Sequence, residues 1–134
     1  MISGIHHVAL KCRGSAEFEK TVAFYHDLLG LPILRRWGEG TGAGVMLDCG
    51  GGRLDIFANA EEARGEGALR HIALATDDPD ACIEAVSAAG YTVIEAPHDI
   101  VIPSTPPFPA RIAFCYGPVG EKIEFFCEKN NQNN

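Results

Sequence analysis

Internal duplication is the strongest constraint on what this chain can fold into. His7-Val8-Ala9-Leu10 near the start returns in the second half as His71-Ile72-Ala73-Leu74, and Arg53-Leu54-Asp55-Ile56-Phe57 returns as Lys122-Ile123-Glu124-Phe125-Phe126. Two copies of one supersecondary unit therefore govern the reading of everything between them. Each half carries a helix signal. The first opens at about Ser15 as N-cap, places Phe18, Val22, Tyr25 and Leu29 on one face, and stops at Gly30 ahead of Leu31-Pro32. The second opens at Asp78 with Pro79 in its first turn, points Ile83 and Val86 inward and stops at Gly90. Short apolar or alternating runs predict strands at Ile33–Trp37, Gly44–Leu47 and Arg53–Phe57, then at Thr92–Glu95, Arg111–Tyr116 and Lys122–Phe126. Both halves read strand, helix, strand, strand, strand. The expected fold class is α+β, two tandem βαβββ modules formed by repeats 1–58 and 69–129, with a linker over 59–68, in one domain of residues 1–134.

Composition narrows the function classes. A chain of 134 residues, 46% hydrophobic and 22% charged, buries roughly two thirds of its surface without staples, which excludes a disordered chain. Eleven basic against eighteen acidic side chains give a net charge of -7, so there is no positive field for a phosphate backbone or an anionic membrane. Nucleic acid and membrane are accordingly not expected as partners. No run approaches bilayer length and Met1-Ile2-Ser3-Gly4-Ile5-His6-His7 has no leader-like pattern. The five cysteines are odd in number, scattered and without Cys-x-x-Cys, as suits reduced thiols in a cytoplasmic protein. Gly38, Gly40, Gly42 and Gly44 lie between two strands with no helix following, the setting of a hairpin loop rather than a phosphate cradle. Pro97, Pro103, Pro106, Pro107 and Pro109 crowd an expected loop over 97–109, either a pocket wall or a plain surface loop. The terminal residues 130–134 have nothing to bury and are expected to fray.

Taken singly, His7 fits a hydrogen-bonded strand histidine, and Asp55 an ion-pair partner for Arg53. Repetition shifts the weight, because the same two residue types at equivalent places yield four candidates, His7, Asp55, His71 and Glu124. Strand alternation sharpens the point. His7 shares a face with Ala9, and His71 with Ala73, while Val8 and Leu10, like Ile72 and Leu74, point the other way toward a helix. Leu54 with Ile56, and Ile123 with Phe125, read as core, which turns Asp55 and Glu124 to the opposite side. Two acids on a sheet face are costly to bury unless a cation neutralises them. One divalent transition metal would do so, and mixed imidazole and carboxylate donors with room for water suit Ni, Co, Zn, Mn or Fe better than Ca or Mg. His6 is expected on the apolar side or at the strand end, His26 beside Asp27 in solvent, and His98 on the surface or within reach of a substrate. Arg35, Arg36 and Arg111 could each clamp a substrate carboxylate, against the plainer alternative of solvated surface arginines.

Gly4-Ile5-His6-His7-Val8-Ala9-Leu10, Phe24-Tyr25-His26-Asp27-Leu28-Leu29-Gly30-Leu31, Arg70-His71-Ile72-Ala73-Leu74 and Gly120-Glu121-Lys122-Ile123-Glu124 resemble the vicinal oxygen chelate superfamily, which includes glyoxalase I, methylmalonyl-CoA epimerase, extradiol dioxygenases, fosfomycin-resistance proteins and bleomycin-resistance proteins. The likeness extends to about Lys129, and its motifs are specific for the superfamily rather than for one member. It implies curved mixed sheets, each with its first and last strands adjacent, around a metal cleft. A homodimer is implied too, with the cleft formed within one chain or across two, and a small-molecule substrate. Carried onto this chain, the metal positions fall on His7, Asp55, His71 and Glu124. Two departures stand out. Asp55 occupies a position where the glyoxalase and epimerase branches usually have glutamate, so its carboxyl reaches one methylene less far. Tyr116-Gly117-Pro118-Val119-Gly120 replaces the usual Asp-Pro-Asp/Glu-Gly turn, a change of turn geometry.

A metal with open positions can be chelated by two oxygens on adjacent substrate carbons, and it stabilises the enediolate left when a proton departs from the carbon alpha to the carbonyl. By resemblance to glyoxalase I, Glu124 is the catalytic base and a ligand by turns, with Asp55 as its partner on the opposite side. The expected activity is that of a lyase or isomerase acting on a 2-oxo compound or its thiol adduct. Were Asp55 not a ligand, His7, His71 and Glu124 would remain as a facial triad of the dioxygenase kind, or as the three-ligand site of a fosfomycin-resistance transferase. A metal-free binding protein of the bleomycin-resistance type is the third reading, and retention of all four positions counts against it.

Overall fold

Parallel pairing between the first and last strand of each half organises both sheets. The protein, described by a computed structural model over residues 1–63 and 67–129, divides into two compact units, Met1–Gly65 and Glu66–Asn134. The first contains β1 (His7–Lys11), α1 (Gly14–Val22), β2 (Ile33–Trp37), β3 (Gly44–Asp48) and β4 (Arg53–Phe57). The second contains β5 (Ile72–Ala75), α2 (Pro79–Ala88), β6 (Val93–Ile102), β7 (Phe108–Tyr116) and β8 (Lys122–Glu128). The strand orders are β1-β4-β3-β2 and β5-β8-β7-β6. In each, the first strand runs parallel to the last and the other pairs are antiparallel. The chain is thus α+β with the repeated strand, helix and three-strand order that the duplication implied. Within the expected linker over 59–68, residues 64–66 lie outside the described residues, as do residues 130–134.

In the first unit the aliphatic face of the sheet meets α1 through β4. Val45, Leu47, Leu54 and Ile56 are buried there, together with Phe18 and Val22 of the helix, each such side chain contributing about 1.5–3 kcal/mol by leaving water. The helix departs from expectation at both ends. Its N-cap is Arg13, in extended conformation, and Ser15 falls inside the first turn. No side chain of Arg13 caps the turn; instead the Glu17 carboxylate reaches back to accept from the Arg13 backbone N–H and guanidinium. Beyond Val22 the chain widens into a π-helical turn over Ala23–Leu28, with the Leu29 N–H donating to the Phe24 carbonyl at 3.0 Å. Within this wider turn the adjacent Phe24 and Tyr25 are both buried, with their rings edge to face at 5.0 Å. His26, expected in solvent, sits at the exit of this turn and donates from Nδ1 to the Leu31 carbonyl at 2.8 Å. The glycine segment after β2 forms a short 3-10 turn at Gly40–Gly42 inside the hairpin. Gly38 is obligatory there, since its φ of +70° is left-handed and a Cβ would overlap the Gly42 carbonyl oxygen.

In the second unit Asp78 caps α2, accepting from the Ala81 N–H at 3.0 Å, and Pro79 occupies the first turn. Ile83 and Val86 pack inward and the helix ends before Gly90, whose φ is +92°. The proline-rich segment is largely strand rather than loop. β6 runs through Pro97 and His98 to Ile102, and β7 starts at Phe108, leaving only 103–107 as connection. Sheet topology explains this: β6 is the edge strand, and Pro97 sits at the register shift between Glu95 and His98, where a missing N–H breaks no ladder bond. The Tyr116–Gly120 turn is closed by a carboxylate supplied from downstream, with the Val119 N–H donating to Glu121 Oε1 at 3.0 Å.

Arg111, a candidate substrate clamp, is committed to structure. Its guanidinium grips Asp80 of α2 with bonds of 2.7 and 2.8 Å and Asp99 of β6 at 3.1 Å. Lys129 joins Asp99 at 2.8 Å. Arg36, another candidate, pairs with Glu19 at 2.7 Å and lies over the Phe18 ring. All five cysteines are free thiols, and burial pushes the Cys115 thiol up to about 12. Among the described residues no helix is long and apolar enough to cross a membrane.

Two outcomes follow from these contacts. Replacing the cap by Asp78→Ala is expected to lower unfolding stability by about 1 kcal/mol in urea. Hydrogen bonds from Arg111, and for Asp99 first from Lys129, hold the Asp80 and Asp99 carboxyls below their ordinary value of 3.8. Stability they contribute is therefore present at neutral pH and lost as pH falls through their lowered values. Arg111→Gln should flatten the decline in melting temperature over that acid range, and an unchanged acid profile would contradict the linkage.

Candidate functional site

The same register builds the same pair of side chains in each unit. In the first, parallel pairing sets Ala9 of β1 opposite Asp55 of β4, and His7, two residues earlier on the same face, leans toward that carboxylate. His7 Nε2 lies 3.7 Å from Asp55 Oδ2. In the second, Ala73 of β5 stands opposite Glu124 of β8, and His71, just before the strand, brings Nε2 to 3.2 Å from Glu124 Oε1. The small alanine opposite each acid leaves the imidazole space to lean across. Asp55, one methylene shorter, keeps its histidine beyond hydrogen-bond range, whereas Glu124 reaches its partner.

Both carboxylates are nearly out of water, Asp55 5% and Glu124 7% exposed, while the two imidazoles stay open to solvent. Asp55 Oδ1 is buried with no hydrogen-bond partner. Such an orphaned carboxylate oxygen is unusual, because its desolvation is normally compensated. Burial raises the proton affinity of Glu124 above the ordinary carboxylate; the His71 imidazole works against this, and Glu95 adds to it. The donor chemistry of each pair suits a divalent transition ion, since each unit offers an imidazole nitrogen beside a carboxylate and Asp55 Oδ1 lacks the positive partner such an ion supplies. Among the described residues no group of three or more His, Cys, Asp or Glu side chains lies close enough to hold an ion. The contacts therefore bring the four predicted donors together two by two, within each unit.

Several neighbours went unread in the sequence. His6, expected on the apolar side or at the strand end, lies just before β1 and places its Nδ1 3.0 Å from His7 Nδ1 with the rings edge to face. Phe114 sets its ring edge to face against His71 at 5.5 Å, and Lys122 Nζ lies 5.4 Å from the Phe114 centroid. Register explains the grouping, because Phe114 of β7 is opposite Glu124. In the first unit Trp37 and Phe57 approach at 6.0 Å across Gly44, where a Cβ would collide with the indole. Lys122 was findable, two residues before Glu124 on the same strand face; Trp37 and Phe114 needed the pairing of β2 and β7. His98 engages Glu95 at 3.4 Å and the Ala96 carbonyl at 2.8 Å on the surface.

The first-unit pair yields a direct test. Asp55→Asn removes a buried charge that has only a distant imidazole for company, so in the presence of chelator it is expected to unfold at an equal or higher urea midpoint, by up to about 1 kcal/mol. It should also lose most of the stabilisation that added Ni or Co gives the parent protein. A clear destabilisation in chelator would show that Asp55 serves the fold.

A family model described as the Glyoxalase/Bleomycin resistance protein/Dioxygenase superfamily matches residues 4–125. Solved structures agree on the fold. A fosfomycin resistance protein from Listeria monocytogenes is 18% identical with a TM-score of 0.70, covering 96% of each chain. An antibiotic binding protein from a Streptomyces species is 22% identical with a TM-score of 0.70, covering 96% of this chain and 98% of that one. Lactoylglutathione lyase from Agrobacterium tumefaciens is 22% identical with a TM-score of 0.61, covering 95% of each. No curated protein matches the chain significantly.

Proposed function

Because the chain belongs to the Glyoxalase/Bleomycin resistance protein/Dioxygenase superfamily, we propose that it is a metal-dependent enzyme of the glyoxalase and epimerase kind, a lyase or isomerase that takes a proton from the carbon alpha to a carbonyl. The substrate is a small 2-oxo compound or its thiol adduct. The observation that carries this reading is Glu124, a buried carboxylate of raised proton affinity beside His71 on a sheet face kept open by Ala73. We assign His7, Asp55, His71 and Glu124 to hold one divalent transition ion, and the protein to a homodimer of the cytoplasm, where free thiols persist. When bound, the ion supplies a Lewis acid that favours negative charge on a substrate oxygen.

The chain's own residues supply the proton transfer. Glu124 receives the proton on its carboxylate, and a base whose pKa is lifted toward the working pH is better matched to that task than an ordinary surface acid. His71 holds Oε1 at 3.2 Å, and the edge of Phe114 fixes the plane of the His71 ring. Exclusion of water from Glu124 strengthens every polar contact the substrate makes beside it. Asp55, too distant from His7 for a good hydrogen bond, keeps Oδ1 unspent. With an ion bound, Asp55 would help to hold and neutralise it, beside Glu124, which would serve as ligand and base by turns.

Deuterium incorporation at the alpha carbon tests this, followed by NMR with a methylglyoxal hemithioacetal in heavy water after loading with Ni, Co, Zn, Mn or Fe. Exchange is expected with at least one ion, and Glu124→Gln should slow it about 10²–10⁴-fold. Exchange that is absent with every ion, or unaffected by Glu124→Gln, would remove the proton-transfer reading. Oxygen uptake with a catechol would instead mark a dioxygenase. Tight binding of an antibiotic with no thermal gain from any ion would mark a metal-free binder.

A further inference from the structure

Most arginines whose contacts are described have an acidic partner: Arg13 has Glu17, Arg36 has Glu19, and Arg111 has Asp80 and Asp99. Arg35 and Arg53 differ. Among the described residues neither pairs with an acid, in a chain whose net charge is -7. Both stand on the sheet face that carries His7 and Asp55. Arg53 is opposite His7, and Arg35 is opposite Met46, which is itself opposite Asp55. Between them a cavity of about 370 Å³ opens, lined by His6, Leu34, Arg35, Met46 and Arg53.

Two exposed guanidinium groups on one cavity repel each other, and among the described residues no acid pairs with either. A bound oxyanion would offset that repulsion, and the planar fork of each arginine matches a carboxylate or phosphate with paired N–H bonds. The volume suits a small molecule, and Met46 supplies a polarisable floor for its carbon skeleton. Strand geometry puts Arg53 and Arg35 about 7–10 Å from Asp55 along and across the sheet, the length of a short carbon chain. We propose that this cavity is an oxyanion subsite, and that the substrate carries a carboxylate or phosphate set apart from its reacting 2-oxo centre. The link to a reacting centre rests on the function proposed above; the anion site itself does not.

Metal-free protein is therefore titrated, at constant ionic strength, with inorganic phosphate and separately with malonate. Binding is followed by the fluorescence of Trp37, the single tryptophan and on the same sheet face, and by the thermal midpoint. At least one anion should saturate the parent protein. The double variant Arg35→Gln/Arg53→Gln should bind it about tenfold more weakly or worse, each single variant should fall between, and Arg36→Gln, on the helix side, should bind like the parent. Whichever anion binds more tightly identifies the headgroup as phosphate or carboxylate. No saturation by either anion, or equal binding by parent and double variant, overturns the subsite. Since no metal is present, failure of the metal-dependent reaction would leave a positive titration standing, and a negative titration would leave the exchange experiment unaffected.

Discussion

Two carboxylates buried on sheet faces, each with an imidazole as its ion-pair partner, are the constraint on which the rest of this structure turns. Asp55 and Glu124 are 5% and 7% exposed, and among the described residues their ion-pair partners are His7 and His71 alone. A buried acid held this way costs several kcal/mol unless a positive partner completes it. The sequence spends that stability twice, at matching positions, on the face opposite the helices. A purely structural sheet would gain from an aliphatic residue at either place.

Parallel pairing of first and last strands is the device that makes the arrangement repeat. It sets an alanine against the acid and leaves the histidine two residues earlier to lean over it, Ala9 against Asp55 and Ala73 against Glu124. Within that shared frame one methylene separates the halves. Glu124 meets His71 at 3.2 Å and holds its proton more tightly than an ordinary acid, whereas Asp55 stands 3.7 Å from His7 with one oxygen unsatisfied. The two acids at matching positions thus differ in reach and in environment, the kind of difference that sets the proton affinities of paired carboxylates apart.

Much of this was legible because the signals were local or duplicated. The alternation around His7-Val8-Ala9-Leu10 named the faces, and Asp78 with Pro79 marked a helix start that the hydrogen bond from Ala81 matches. What escaped depended on neighbours distant in sequence or on backbone choices without a fixed motif. Pro97 signals a loop unless β6 is known to be an edge strand with a shifted register. Ser15 reads as a cap, but the helix opens two residues earlier than that cap implies, at Gly14, with Glu17 reaching back to Arg13. The π-helical turn that buries Phe24 beside Tyr25, and the Leu31 carbonyl that captures His26, leave no trace in a 3.6-residue pattern. Arg35 and Arg36 are adjacent and chemically alike, yet strand alternation sends one to a cavity and the other to Glu19.

Cobalt stoichiometry is the most direct measure of whether the duplicated pairs serve a cation. Chelator-stripped protein titrated with Co(II), read by its visible absorption and by metal analysis after dialysis, should take up one ion per chain, and His7→Ala and His71→Ala should each abolish uptake although they lie in different halves of the sequence. Full uptake by either variant, or none by the parent protein, would contradict the assignment of these imidazole and carboxylate pairs to one metal.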